Sequence, residues 1–238
     1  MRVFLAGAAG AIGRRLVPLL LREGHRVSGT TRSSAKAEWL EGQGATAIVV
    51  DVFNAAALRQ AVIDARPDVV IHQLTDLSSK DLDEARARNA RIRIEATPAL
   101  VRAAVAAGAR RFVAQSIAFA YAPAPLPIPE SAPLNLTSDD PVARRTAEGV
   151  AALEGAVLEE PAVEGVVLRY GRLYGPGTWS GSPNGASPLH VDAAAHAALL
   201  ATSRGAPGIY NVAEDDGSVR VDKARRELGF DPNFRFAA

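Results

Sequence analysis

The chain has 238 residues, a net charge of +1, 48% apolar residues and no cysteine. That length buries one generous core, or a main domain with a small appendage. Balanced charge without blocks of one sign argues against nucleic acid or a membrane surface as the main partner, and no charge-free apolar run reaches transmembrane length, so a soluble, cytoplasmic protein is expected.

Arg2–Ala6 reads as a buried strand that breaks into Gly7, Gly10 and Gly13 and resumes with helical spacing. In such a strand–turn–helix the first glycine turns the chain at positive φ, the second admits a pyrophosphate, and the third lets the helix pack on the strand. The helix start at Ala11 and Ile12 offers N–H groups and a partial positive charge to a phosphate. No lysine or hydroxyl follows Gly13, which excludes a P-loop, and Arg14, Arg15, Arg22 and Glu23 interrupt any signal-peptide core. A dinucleotide site is expected, the alternative being a glycine-rich turn without a ligand.

Gly24 closes this helix, and a second strand, His25–Thr31, runs out into Thr31, Arg32, Ser33 and Ser34 with no acid nearby. An acid there meets a free ribose 2′-hydroxyl, whereas an arginine fork with hydroxyls suits a 2′-phosphate. NADP(H) is therefore expected over NAD(H), against a merely solvated arginine. After a short helix, the third strand, Ala45–Asp51, brings Asp51 and Val52 beside the expected adenine pocket. Asp51 either accepts from the adenine amino group or caps the next turn. Asn54 is placed to cap a helix to Ala65. The fourth strand, Asp68–Leu74, ends on Leu74 and Thr75, where Thr75–Ser79 would cross above the cofactor.

A long helical pattern, Asp81–Ala107, with a kink expected at Pro98, ends at Gly108 and leads into a fifth strand, Arg110–Ser116. Strands alternating with helices predict an α/β, doubly wound parallel sheet with its ligand site beyond the carboxyl ends of the strands. The proline-rich Ala122–Pro133 is a loop or lid. Ser138 or Asp139 is expected to cap a helix to Glu159, followed by a sixth strand (Val163–Arg169), a glycine/proline loop, a helix from His190, a short strand (Gly208–Val212) and a last short helix.

The glycine turn, Asp51, the RRFVAQS strand ending on Ser116, LRYGRLYGPGT from Leu168 and HVDAAAHA from His190 together resemble an extended short-chain dehydrogenase/reductase of the epimerase/dehydratase type. That resemblance covers nearly the whole chain and implies a Rossmann fold, a small-molecule substrate and an oxidoreductase or epimerase/dehydratase activity. It places Ser116 where a Ser or Thr orients the substrate oxygen, and Tyr170, Gly171 and Leu173 where backbone groups meet the nicotinamide. It implies a Tyr with a Lys four residues later near the start of the helix after Ser138. The chain has Val142, Ala143, Arg144, Arg145 and Thr146 there, and neither residue type occurs between Tyr121 and Tyr170.

Tyr121 is the nearest substitute acid, with Arg144 or Arg145 as a fixed cation in place of lysine; the alternative is a packed tyrosine and solvated arginines. His190 reads as a cap rather than a base, and His25, His72 and His196 are not grouped with carboxylates, so no metal is expected. The substrate lobe is short, formed mainly by 171–190 and 205–238 of a single 1–238 domain. Three function classes remain open: a reductase or epimerase with a rearranged acid, a non-redox lyase, isomerase or cyclase on the same fold, and a non-catalytic nucleotide sensor. Helices at Asp81–Ala107 and Asp139–Glu159 are the pair through which the family forms homodimers.

Overall fold

A computed structural model describes residues 1–76 and 81–236, with only the backbone described at 82 and 83. The strands are β1 (Arg2–Ala6), β2 (Arg26–Thr31), β3 (Thr46–Val49), β4 (Val69–His72), β5 (Arg111–Ile117), β6 (Glu164–Tyr170), β7 (Arg172–Tyr174), β8 (Pro188–His190) and β9 (Gly208–Val212). Seven form one sheet in the order β3-β2-β1-β4-β5-β6-β9, every pairing parallel. A parallel sheet needs a crossover between each pair of strands, and the helices supply them: α1 (Gly13–Arg22), α2 (Ser34–Gly42), α3 (Ala55–Ala65), α4 (Leu82–Arg91), α5 (Thr97–Ala106), α6 (Pro141–Leu158) and α7 (Val191–Leu200). Chain direction across the sheet reverses between β1 and β4, which makes that gap the switch point at which such sheets bind ligands.

Side chains alternate across each strand, so the sheet carries two cores. Val3 and Leu5 of β1 face Leu16 and Leu20 of α1 together with the alanine-rich α7. Phe4, Val70 and Phe112 face Leu58 of α3, Leu100 of α5 and Leu153 of α6. β9 is the seventh strand of this sheet rather than part of a separate lobe. The lobe is reduced to the β7–β8 pair and to 213–221, which packs on the proline-rich loop.

Three local expectations are corrected. The cap of α6 is Asp140, whose Oδ1 accepts from Val142 N at 2.9 Å, because Pro141 needs no donor partner at the first helical position. No kink is needed at Pro98, since it lies in the first turn of α5, where a missing N–H costs nothing. The proline-rich loop is not a free lid: Ile128 N donates to Ser218 O and Arg220 N to Ile128 O, tying it to 213–221. Asn54 does cap α3, accepting from Ala57 N at 3.1 Å.

Between α4 and α5 the chain makes a π-helical turn, Ile92–Ala96. Buried His72 braces it. Its Nδ1 accepts from Leu74 N, so the proton sits on Nε2 and is donated to Thr97 Oγ1 at 2.9 Å, whose own hydroxyl donates to Ile92 O. Burial, with help from the charge of Arg93, lowers the His72 pKa to about 4. A histidine that is hard to protonate when folded lets the unfolded chain bind the extra proton between pH 6.5 and about 4, so stability must fall as pH drops through that window and be unaffected above it. The loss at pH 4 should be about 2–3 kcal/mol. Denaturant unfolding at pH 7 and pH 4.5 checks this: His72→Gln should flatten the pH dependence, and an unchanged slope in the variant would contradict it.

Candidate functional site

The glycine turn after β1 lies at the switch point. Gly7 has φ +87°, and a Cβ there would stand 2.5 Å from Gln73 O, at the end of β4. A Cβ on Gly13 would stand 2.4 Å from Gly7 O and 2.5 Å from Ala8 O. Both glycines are required by the protein's own packing. Gly10 differs: a Cβ there would meet only Gly7 O, at 3.3 Å, so nothing else in the chain fills the space it leaves. No side chain caps α1 at Ile12, which leaves its first-turn N–H groups without a side-chain acceptor. Gly177, in the loop after β7, brings its backbone over Ala11, a Cβ on it lying 3.7 Å from the alanine methyl. An open cradle, an uncapped helix start and a covering loop fit a pyrophosphate.

The other residues marked in the sequence surround this cradle. At the end of β2, Thr31 Oγ1 accepts from Ser33 N, and the mostly exposed Arg32 donates to buried Asp76 at 3.3 Å. Asp51 Oδ1 accepts from Phe53 N, which is the turn-capping alternative, and Val52 packs in the second core. Leu74 N is held by His72, and Thr75 is exposed; Leu77–Ser79, the rest of the expected crossing, lie outside the described residues. Tyr170 points its ring into the first core, its hydroxyl accepting from Gln73 Nε2 and donating to Ala194 O, each at 3.2 Å. Burial raises its pKa far above the usual value. Gln73 Oε1 is buried beside the switch point with no partner. Gly171 N donates to Val212 O, a Cβ on Gly171 would clash with Ser187 O, and Leu173 packs on the first core.

The expected catalytic side chains are turned inward. Ser116 Oγ donates to Glu154 Oε1 at 2.7 Å, and the same carboxylate takes a two-pronged grip from Arg169, with Nε at 2.8 Å and an Nη at 2.6 Å. All three are buried. The Arg169 guanidinium also lies 4.7 Å from the centre of the Tyr121 ring, and Tyr121 donates to Asn211 Oδ1 at 2.6 Å. Burial raises the Tyr121 pKa, with the Arg169 charge opposing it. The cation beside Tyr121 is therefore Arg169, and Arg144 stands elsewhere: exposed on α6, donating to Ser138 O at 3.0 Å. Glu154 and Arg169 were not singled out from the sequence. The signal was there, a lone acid in an apolar helix stripe and an arginine inside a hydrophobic strand.

Helical spacing puts Glu154, Val150 and Thr146 on one face of α6. Glu154 meets Ser116, and Val150 packs with Ile117, Ala120 and Leu134 at the carboxyl end of β5. Thr146, one turn further out, donates its hydroxyl to Val142 O at 2.9 Å. The α6 wall at the end of β5 is apolar, with neither a phenol nor an amine. His190 Nδ1 accepts from Asp192 N as the cap of α7, and among the described residues no group of three or more His, Cys, Asp or Glu is placed to hold a metal.

The sequence model of the NAD dependent epimerase/dehydratase family matches residues 3–207. The chain belongs to that family. This NAD-dependent epimerase/dehydratase-family protein is 42% identical over 238 aligned residues to a 3-diazoavenalumate denitrifying reductase from a Streptomyces species, a match covering 91% of this chain and 77% of the relative. Among solved structures it superposes on UDP-glucose 4-epimerase from Thermotoga maritima, with UDP-glucose, at TM-score 0.79 and 20% identity, over 99% of this chain and 94% of the epimerase. It also superposes on WbmG from Bordetella bronchiseptica, solved with NAD and UDP, at TM-score 0.73 and 20% identity, over 99% and 90% of the two chains. Those two likenesses establish the fold.

The glycine geometry separates two kinds of variant. Gly10→Val should keep the parent's melting temperature and lose dinucleotide binding in calorimetric titration. Gly13→Val, forced against two backbone carbonyls, should cost stability outright. Parent-like NADPH binding by Gly10→Val would show that the cradle is misassigned.

Proposed function

We propose that this chain is an NADP(H)-dependent reductase whose organic substrate accepts hydride without needing a proton from the protein, and that this substrate is a diazo-bearing carboxylic acid. The observation that carries the proposal is the apolar α6 wall at the end of β5, where Val150 packs on Ile117, Ala120 and Leu134 and the nearest hydroxyl, on Thr146, is engaged with its own helix. Reduction of a ketone leaves an alkoxide that must be protonated, and a positioned acid is worth about 10²–10⁴ in rate. Reductive loss of a diazo group makes no such demand. At a diazonium carbon, hydride forms the new C–H bond, the C–N electron pair departs with dinitrogen, and no proton is taken up. The diazo-acting relative supports this reading.

When bound, the cofactor supplies the hydride. The chain's part is binding, orientation and dryness. The Gly7–Gly13 turn and the α1 start hold the pyrophosphate, with Arg32, Thr31 and Ser33 about the 2′-phosphate, while the backbone of Tyr170, Gly171 and Leu173 lies toward the nicotinamide. The apolar wall keeps water from an electrophile that water would otherwise attack. Ser116 and Tyr121 act in this reading by holding the crevice in shape through Glu154, Arg169 and Asn211, and Arg144 acts outside the proton chemistry.

Two measurements test the proposal. Arg32→Ala should weaken NADPH by about 1.5–3 kcal/mol, the scale of a lost charge-assisted hydrogen bond, and barely change NADH; equal losses would show that Arg32 only supports its loop. Tyr121→Phe leaves Asn211 Oδ1 buried without its donor, so it should lower the melting temperature, by about 1–3 kcal/mol of stability, yet change turnover of an arenediazonium carboxylate by less than about tenfold, against the 10²–10⁴ of a lost general acid. A larger drop would identify Tyr121 as the acid and overturn the proton-free reading.

A further inference from the structure

We propose that the cleft between the N-terminal halves of α4 and α6 is the seat of the substrate's carboxylate, held by the guanidinium groups of Arg144 and Arg145 with Arg86 on the opposite wall. The inference rests on the proposed function for its substrate class and adds where, and by which residues, that substrate is recognised. The cleft is a cavity of about 500 Å³ bordered by Arg86 on α4 and by Val142, Arg144, Arg145, Thr146 and Glu148 on α6. Three guanidinium groups stand against one carboxylate. Arg144 gives one N–H to Ser138 O and keeps the rest of its fork. Among the described residues Arg145 has no hydrogen bond and no ion pair. Guanidinium forks match planar carboxylates with two parallel hydrogen bonds.

Position links the cleft to the hydride crevice. Thr146 borders the cleft, and it follows Val150 by one helical turn on the α6 face that lines the end of β5. An extended acid with its reactive carbon at the apolar wall can therefore lay its charged end among these arginines. A second feature strengthens the basic field. Arg93, seven residues after Arg86 and so on the same face of the helical run, carries its stem against α6, with its Cδ 3.5 Å from where a Cβ on Gly149 would lie. It has no hydrogen bond or ion pair among the described residues, and burial holds its pKa down to about 10. Gly149 lets α4 approach here, since a side chain would press on Ala90 Cα at 3.4 Å. Two close-packed helices thus present a row of positive charge with few acids set against it.

Calorimetric binding of trans-cinnamate and of cinnamamide, with and without NADP⁺, tests the site independently of turnover. Cinnamate should bind and the neutral amide should bind at least tenfold more weakly. The Arg144→Ala/Arg145→Ala double variant should lose at least tenfold in cinnamate affinity with NADP⁺ affinity unchanged, and Arg145→Lys should keep most of it, which separates a lost charge from a disturbed fold. Equal binding of acid and amide by the parent, an unaltered cinnamate affinity in the double variant, or a variant whose only change is its mass in solution would each overturn the proposal. Cinnamate binding through the arginines together with no reduction of any diazonium acid would instead overturn the proposed function and leave the anion seat standing.

Discussion

The turn between β1 and α1 can close only because Gly7 and Gly13 have no side chains. With Gly13 lying against the carbonyls of Gly7 and Ala8, α1 starts directly on the end of β1, and with Gly7 against Gln73 the ends of β1 and β4 meet at the switch point. The rest of the nucleotide side follows from that closeness. α1 aims its uncapped start at the space over Gly10, Arg15 ties α1 to Asp192 of α7, and the loop after β7 folds its Gly177 over Ala11. Each contact is short and backbone-mediated, so the cradle is fixed by covalent geometry more than by side-chain packing.

On the substrate side a different interaction sets the limits. The Glu154–Arg169 pair is buried and hydrogen-bonded on both prongs, and it holds Ser116 from one side and the face of Tyr121 from the other. Removing one member of such a pair costs several kcal/mol because the other charge is left unmatched. A side chain committed to this network is poorly placed to move protons for a substrate. The same α6 face offers valine and threonine beyond the pair, so the fold of an NAD-dependent epimerase/dehydratase is kept while the wall that would hand over a proton is apolar. Hydride chemistry survives such a change only with an acceptor that discards its own electron pair.

Much of the nucleotide half was legible in the residues. Glycine spacing, strand runs and the arginine after β2 are local signals, and each reports on backbone or charge within a few positions of itself. The substrate half was less legible because its contacts are long-range. Ser116 lies 38 residues from Glu154, and Tyr121 lies 90 from Asn211, so the inward turn of both hydroxyls had no local signature, and the cation expected from Arg144 came instead from Arg169. The cap at Asp140 and the harmless Pro98 were displaced from expectation by one principle: proline at the first turn of a helix has no hydrogen bond to lose. The missing Tyr and Lys, by contrast, were a matter of inventory, and inventory needs no fold.

The central claim is direct hydride delivery to carbon with loss of dinitrogen and no protein acid. Reaction of an arenediazonium carboxylate with NADPH deuterated at nicotinamide C4, run in ordinary water, tests it by mass spectrometry of the product. The account predicts one deuterium per product molecule, on the carbon that carried the diazo group, with matching dinitrogen release. Turnover that left the product unlabelled, or that reduced ketones as readily as the diazonium acid, would contradict it.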